Sequence, residues 1–563
     1  MDGAYFSQHG EDRLAELCLG RRADGFYVDV GAFDGLHLSN TAFFERLGWR
    51  GVCVEAHPRY APLCRTNRPN AVTIEAAVVG DAGQREVTFL AEPLGLLSGV
   101  RADRTPNMQA RYAKRAMQFE GFERVTVAAR TLGSILDEHG PTDGRIDLVS
   151  IDTEGTEAEI LGAFDFERWR VGLFIVEAND RPALKALEQV FKAHRYVLAR
   201  ELSKNAFFVP RAPGERASTL AWAPVRCEVT RTAHPLLDGS APDAPEDARE
   251  RRIEIDDNPA RRGEAYYVQE HGAPLSVFLG SLPAPADEVA RGAVGVVHGV
   301  NFFDARPGSD WDRVMRLTQR TMRAAAGAYA GSARLVAPMR PADEHARPEG
   351  FGPAPTLTRS SADFGVGGDY PLVFDIIESI AAADPGAEYL VFTNADIAIQ
   401  PGFYGALDAI IRAGAQAGSI TRRTLAAGAI DLADGAILAE TGQFHSGHDC
   451  VFFPRSWVSS FVRNDAVVGR GGGPMRAVMD NLVALASPFV YLRDVHLTCH
   501  VGDDKAWQDP SGEAAVRHNT REHERVRAAL GEGSDECRER LRVFTEAKGG
   551  GRPGGRRAGR MVP

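Results

Sequence analysis

Two successive α/β domains are what this sequence predicts, and three observations predict them. Over residues 1–210, apolar runs of strand length alternate with helix-patterned segments, as in layered folds with a mostly parallel sheet. Residues 211–288 then shift to Ala, Pro, Arg, Asp and Glu, as in Ser240-Ala241-Pro242-Asp243-Ala244-Pro245, which reads as a linker with a few short strands. From residue 289 to 545 the alternation of strand and helix patterns resumes. At 563 residues the chain is also too long for one ordinary core.

In the first region the strands are expected at Phe26–Val30, Gly51–Glu55, Ala71–Glu75, Val87–Leu90, Leu148–Asp152, Leu173–Glu177 and Ala206–Val209. Helix patterns lie between them, at Thr156–Phe164 and Arg181–His194. The polar stretch Glu92–Gly121 suits a lid or an acceptor-binding insertion, or equally a plain surface excursion. In the second region Val294–Val300, Arg334–Ala337 and Tyr389–Phe392 are expected strands. Ser309 is an expected N-cap, with Asp312 at the capping-box position. Trp311, Val314, Met315 and Met322 form an apolar stripe on the helix that follows, as core side chains do.

Composition narrows the function. The net charge of −11 and the absence of a basic domain argue against a nucleic-acid partner. The exception is the Gly/Arg-rich end, 546–563, expected to be a disordered basic tail. Seven scattered cysteines without a C-x-x-C pair suit a reducing compartment. No signal-peptide pattern and no run of about 18 apolar residues is present, so the expectation is a cytoplasmic protein with no integral membrane segment.

The densest motif is Val28-Asp29-Val30-Gly31-Ala32-Phe33-Asp34-Gly35: a strand, then an acidic turn with two glycines. Gly31 and Gly35 permit a sharp turn and close approach of backbone to a ligand. The next strand, Gly51-Val52-Cys53-Val54, ends in Glu55, placed to accept both hydroxyls of a ribose. The turn offers Asp29 and Asp34 and no Lys, which would repel a pyrophosphate. An adenosine cofactor with a positive charge and no phosphate fits better, which describes S-adenosylmethionine (SAM). Gly31-x-x-x-Gly35 also lacks the G-x-G-x-x-G spacing of a nicotinamide-dependent oxidoreductase.

Asp29, Glu55, Asp152 and Glu177 all fall at expected strand ends, where open α/β sheets bind ligands. In Asp152-Thr153-Glu154-Gly155-Thr156-Glu157, Asp152 suits the methionine amino group or an acceptor hydroxyl, whereas Glu154 and Glu157 equally suit helix capping. Methyl transfer needs alignment and a place for the acceptor proton. Asp152, Glu154 and His37 are the candidate bases, and the pattern asks for no metal in this region.

Three segments together resemble the FkbM family of SAM-dependent methyltransferases: Ser7-Gln8-His9-Gly10-Glu11-Asp12, then Tyr27-Val28-Asp29-Val30-Gly31-Ala32 with Ser39-Asn40-Thr41, and Ile151-Asp152-Thr153-Glu154-Gly155. The resemblance spans roughly residues 5–210. It implies a class I methyltransferase (Rossmann-like) fold and methylation of a hydroxyl on a sugar or natural product. It also implies that Asp29 and Gly31 line the methionine part, Glu55 holds the ribose, and Ala77 and Val78 lie near adenine. Ser7, Gln8 and Glu11 would complete the pocket, or else cap an N-terminal helix.

The second region carries Thr393-Asn394-Ala395-Asp396 after a buried strand, which resembles the D-x-D element of GT-A type glycosyltransferases with Asn in first place. That likeness implies a divalent cation, Mn²⁺ or Mg²⁺, bridging carboxylate to a nucleotide-sugar donor, with Asp396 the principal ligand. His500, late in the domain, is the expected second ligand, and Asp449, ahead of an apolar strand, the expected base or acceptor contact. Arg422 and Arg423 suit the diphosphate or plain surface charge, and Gly469–Pro474 suits a closing loop. The sequence thus predicts a bifunctional glycan-modifying enzyme, with methylation and sugar transfer acting on a small-molecule or glycan acceptor. The alternative is a methyltransferase fused to a non-catalytic carbohydrate-binding or scaffold domain.

Overall fold

The computed structural model describes residues 5–95, 97–100, 122–211, 216–237, 239, 246–261, 266–269, 273–283, 292–469, 473–493, 495–502 and 513–549. Much of the expected 92–121 insertion, residues 470–472 of the glycine loop, Asp503, Asp504 and residues 550–563 lie outside them. The chain divides into two compact units, 1–259 and 260–563. No helix among the described residues is long and apolar enough to cross a membrane.

The first unit is built on a seven-stranded sheet. Its strands are β1 (Phe26–Val30), β2 (Arg50–Glu55), β3 (Ala71–Glu75), β7 (Arg145–Ile151), β8 (Arg170–Glu177), β9 (Tyr196–Leu202) and β10 (Asn205–Pro210). Three further strands, β4 (Ala77–Val78), β5 (Glu86–Ala91) and β6 (Glu123–Arg130), form a small sheet of their own. The main order is β3-β2-β1-β7-β8-β10-β9. The strands from β3 to β8 pair in parallel, and β10 is antiparallel to both β8 and β9. The chain therefore runs outward from β1 in one direction and then, from β7, in the other. That reversal opens a crevice at the carboxyl ends of β1 and β7. Val28, Val30, Val149, Ile151, Phe174 and Val176 share one buried cluster with Leu184, Leu187 and Phe191 of the helix Arg181–Ala193. Fully burying each such side chain is worth about 1.5–3 kcal/mol.

The segment expected to be a linker contains an antiparallel pair, β11 (Val225–Arg231) with β12 (Arg251–Asp257), and both belong to the first unit. The Thr230 N–H donates to the Tyr5 carbonyl, and Val225 packs so close to Gly10 that a Cβ there would strike it.

The second unit has a larger sheet. Its strands are β13 (Tyr266–Gln269), β14 (Val296–Gly299), β15 (Ala333–Ala337), β16 (Gly352–Pro353), β17 (Tyr389–Thr393), β18 (Ala398–Ile399), β19 (Ala417–Leu425), β20 (Gln443–Pro454), β21 (Phe489–Leu492) and β22 (Thr498–Val501). The main order is β13-β21-β19-β20-β17-β14-β15-β16, with β18 paired to β22 and β22 to β19. β20 alone in that row runs against its neighbours β17 and β19. Successive residues feed opposite layers: Val296 and Val391 enter one core cluster, and Val297, Leu390 and Phe392 the other. Here too the order reverses, between β14 and β17. Ser309 caps the helix Asp310–Ala328 by accepting from the Asp312 N–H at 3.2 Å, while the Asp312 carboxylate reaches the Gly308 N–H instead of that of Ser309. Trp311, placed on the core stripe by the sequence, is 39% exposed. The terminal helix Asp535–Gly549 runs past residue 545, into the stretch expected as tail.

Candidate functional sites

In the first unit a cavity of about 570 Å³ opens where the sheet reverses. Gly31, Asp29, Glu55, Ala77, Val78 and Asp152 all line it, as do Gln8 and His37. Gly31 has φ 82°, and a Cβ there would collide with the Asp152 carbonyl oxygen, so the turns after β1 and β7 touch backbone to backbone. Glu55 is 7% exposed and accepts the Phe33 and His57 N–H groups, each at 2.7 Å. Burial pushes its pKa up from 4.5 to about 7, against those two hydrogen bonds. The lone-pair sites left on a carboxylate that takes two N–H donors are what a ribose diol requires.

Asp29 is tied in more firmly. Its Oδ2 accepts from Thr41 Oγ1 at 2.5 Å, and the buried Arg68 guanidinium lies 3.8 Å away. Burial raises its pKa, and the Arg68 charge opposes the shift. Three expected residues are not brought to the cavity, and the first is Ser7, which is buried and donates its hydroxyl to Asp12 Oδ1 at 2.5 Å. Glu11 is fully buried and spends its carboxylate on the His9 N–H and the Asn205 side chain. Gly35, at φ 85°, forms a turn whose carbonyl accepts from Arg68 at 3.0 Å.

His37 is 4% exposed, and its Nδ1 lies 2.8 Å from the Thr232 carbonyl oxygen. A carbonyl can only accept, so Nδ1 carries the hydrogen and, in the neutral ring, Nε2 carries the lone pair. Thr232 follows β11, 195 residues away in sequence, and no local signal pointed to it. Around the ring stand Phe33, at 6.0 Å between centroids, and His234, at 5.7 Å.

In the same cavity Asp152, Glu154 and Glu177 converge, with one oxygen of each within 4.8 Å of the others. Burial pushes Glu177 well above the usual carboxylate range, and the charges of Asp152 and Glu154 push it further. Glu157 is separate: its Oε1 accepts the N–H groups of Thr153 and Gly155, both at 3.0 Å, which ties down the turn.

The second unit holds a larger cavity, about 1100 Å³, at the carboxyl ends of β14 and β17. Asn394, Asp396, Arg422 and Asp449 line it together. Asp449 sits inside the long strand β20 rather than ahead of a strand. Its Oδ1 accepts from Asn394 Nδ2 at 2.9 Å, and its Oδ2 pairs with Arg422 at 3.1 Å. Burial raises the Asp449 pKa, against the pull of Arg422. Asp396 Oδ1 is buried with no hydrogen-bond partner, and its Oδ2 lies 3.2 Å from His500 Nε2. His500 stands behind Asp396 on β22 and does not itself line the cavity. A register shift between Ile420 and Arg422 re-aims β19 here. Arg422 faces the cavity, whereas Arg423, next along the strand, does not, as alternation requires.

Sequence reasoning missed Arg340, Arg476, Arg493 and Arg527, which also line the cavity. They come from separated segments with no shared motif. Asn301, two residues past β14, could have been found by the strand-end rule applied to Glu55 and Asp152. Beneath the floor, His298 is fully buried between Tyr404 Oη at 2.8 Å and Thr393 Oγ1 at 3.0 Å. Burial lowers its pKa to about 3, so it is a neutral structural group.

No curated protein matches the chain. Solved structures with similar parts include M. capricolum TrmK in complex with S-adenosyl-homocysteine, at 11% identity over 35% of this chain and 66% of that one, TM-score 0.20. Another is a TehB-like SAM-dependent methyltransferase from Corynebacterium glutamicum, at 11% identity over 36% and 85%, TM-score 0.19. A third is Aeropyrum pernix fibrillarin with natively bound S-adenosyl-L-methionine, at 10% identity over 35% and 71%, TM-score 0.19. Residues 29–198, which hold Asp29, Gly31, Glu55, Asp152 and Glu177, match the family model described as the methyltransferase FkbM domain.

Proposed function

We propose that the protein is a bifunctional glycan-modifying enzyme, whose first unit methylates a hydroxyl of a sugar or natural product from SAM and whose second unit transfers a sugar from a nucleotide donor. The family match of residues 29–198 supports the methyltransferase half. The observation that carries the cofactor is the joint opening of Gly31 and Glu55 on one cavity whose described lining residues include no arginine. When bound, SAM supplies an electrophilic methyl group on a sulfonium, and transfer to oxygen leaves a neutral thioether. Glu55 would hold the ribose hydroxyls, Ala77 and Val78 would flank the adenine, and the turn at Gly31 would take the methionine part. His37 accepts the acceptor's hydroxyl proton on Nε2, held in that tautomer by Thr232.

For the second unit, the arginine-lined cavity supports a diphosphate ligand, since guanidinium groups pair with phosphate oxygens. The unpartnered Oδ1 of Asp396 fits a divalent cation, and a 3.2 Å separation from His500 Nε2 is also that of two ligands on one ion. Asp396 and His500 would hold the ion, and Arg422 would neutralise the leaving diphosphate. A specific observation favours the alternative of a carbohydrate-binding module. Asn394 and Asp449 bond to each other, and Asp449 is also paired with Arg422, which ties up the expected base.

Calorimetry of the whole protein with SAM, and separately with UDP- and GDP-sugars in Mn²⁺, tests both halves. Binding of neither class ends the proposal. Binding of SAM together with free sugars but no nucleotide sugar selects the carbohydrate-binding alternative.

A further inference from the structure

β7 and β8 are parallel neighbours with Ile151 opposite Val176, so Asp152 and Glu177 leave the sheet side by side. Glu154 adds a third carboxylate from a left-handed backbone, φ 57°. Their oxygens lie within 4.8 Å of one another, and all three residues line the cavity. Glu177, 7% exposed, has an Oε2 that is buried without any hydrogen-bond partner. Burying a carboxylate beside two others is costly unless a cation compensates. Lys204, the one lysine among the described lining residues, opposes that cost only weakly, and its Nζ donates to Asn179 Oδ1 at 3.1 Å. Carboxylate oxygens held about 2.0–2.6 Å from a hard divalent ion stand about 3–5 Å apart, which is the spacing found here.

We propose that Asp152, Glu154 and Glu177 bind a divalent cation, Mg²⁺ or Mn²⁺, whose remaining positions take two adjacent oxygens of the acceptor. Three ligands from one side of an octahedral ion leave the opposite side open to water or substrate. The acceptor class that can fill it is a vicinal diol, as on a sugar ring, or a hydroxy acid. A hydroxyl on the ion is a stronger acid, and its proton passes to the base described above. The acceptor part rests on the methyl-transfer reading; the cation site does not.

The test titrates Mn²⁺ alone into the whole protein, read by electron paramagnetic resonance of the free ion. Asp396→Asn is introduced first, so that the second unit does not contribute. The expected result is one remaining site, weakened at least about tenfold by Glu177→Gln or by Asp152→Asn. Asp152 is exposed, so its isosteric change tests the site without touching the core. Absence of Mn²⁺ binding in Asp396→Asn overturns the proposal, as does equal binding with and without Asp152→Asn. SAM calorimetry on the unaltered protein separates the two readings. Mn²⁺ binding lost on Asp152→Asn, with no SAM bound by the parent, keeps the cation site and ends the methyltransferase assignment.

Discussion

The two cavities occupy the same place in their sheets and differ in charge. Among the described residues, five carboxylates line the first, Asp29, Glu55, Asp152, Glu154 and Glu177, against Lys204 alone. In the second, five aspartates among the described residues are matched by five arginines: Arg340, Arg422, Arg476, Arg493 and Arg527. A crevice where strand order reverses is a general-purpose cleft. On the function proposed above, the side chains around it would decide what enters: a cationic, phosphate-free cofactor in one unit and an anionic diphosphate in the other.

The largest expected effect that separates the cavities is that of Gly31→Ala. The new methyl strikes the Asp152 carbonyl, and φ 82° is strained for alanine. SAM affinity should fall about a hundredfold or more, with nucleotide-sugar affinity unchanged, both by calorimetry. The mirror experiment is Asp396→Asn, expected to weaken Mn²⁺-dependent nucleotide-sugar binding about thirtyfold and to leave methyl transfer intact. A loss in both units from either change would end the picture of two independent sites.

Glu55→Gln should weaken SAM about tenfold, and its pH signature is more telling. Ribose hydroxyls donate to the ionised carboxylate, so SAM binding should strengthen as pH rises through about 7, and the dependence should vanish in the variant. Stability moves the other way. With a folded pKa of about 7 against 4.5 unfolded, Glu55 stabilises the first unit below pH 4.5, and that contribution is lost as pH rises to 7. His298, at about 3 against 6.5, stabilises the second unit above pH 6.5, and that is lost as pH falls towards 3. Calorimetric melts at pH 5 and pH 7 should show these two contributions with opposite signs, each cancelled by Glu55→Gln or His298→Gln. Smallest is Ser309→Ala, which removes a helix cap and should cost about 1 kcal/mol in the second unit, read as a shift in its melt alone.

Much of this was legible in sequence because strand ends carry their own signals. Glu55 and Asp152 were placed by the rule that open sheets bind ligands at carboxyl ends, Gly31 by its acidic glycine turn, and Asp396 by the likeness of its segment to a D-x-D element. What stayed hidden depends on pairing across the chain. The alternation pattern of β7 and β8 says nothing of their adjacency, so Glu177 was seen as a strand end but not as a partner of Asp152. Glu11 looked like a pocket residue because its motif sits near one, yet its carboxylate is consumed by His9 and Asn205. Arg527 reaches the second cavity from a helix more than a hundred residues beyond Asp396, with no pattern to announce it. Short strands were expected between residues 211 and 288, but the Pro- and Ala-rich composition around β11 and β12 hid that they belong to the first unit.

That last pair sets where this molecule can be divided. The family match ends at residue 198, and a cut near residue 210 would look natural on an alignment. Such a fragment would retain Gly31, Glu55 and Asp152 but lose Thr232, and with it the hydrogen bond that fixes the ring of His37. A fragment ending at Pro259 keeps that bond. A shortened protein that binds SAM yet turns over slowly would therefore report a boundary drawn too early, with nothing wrong in its cofactor site.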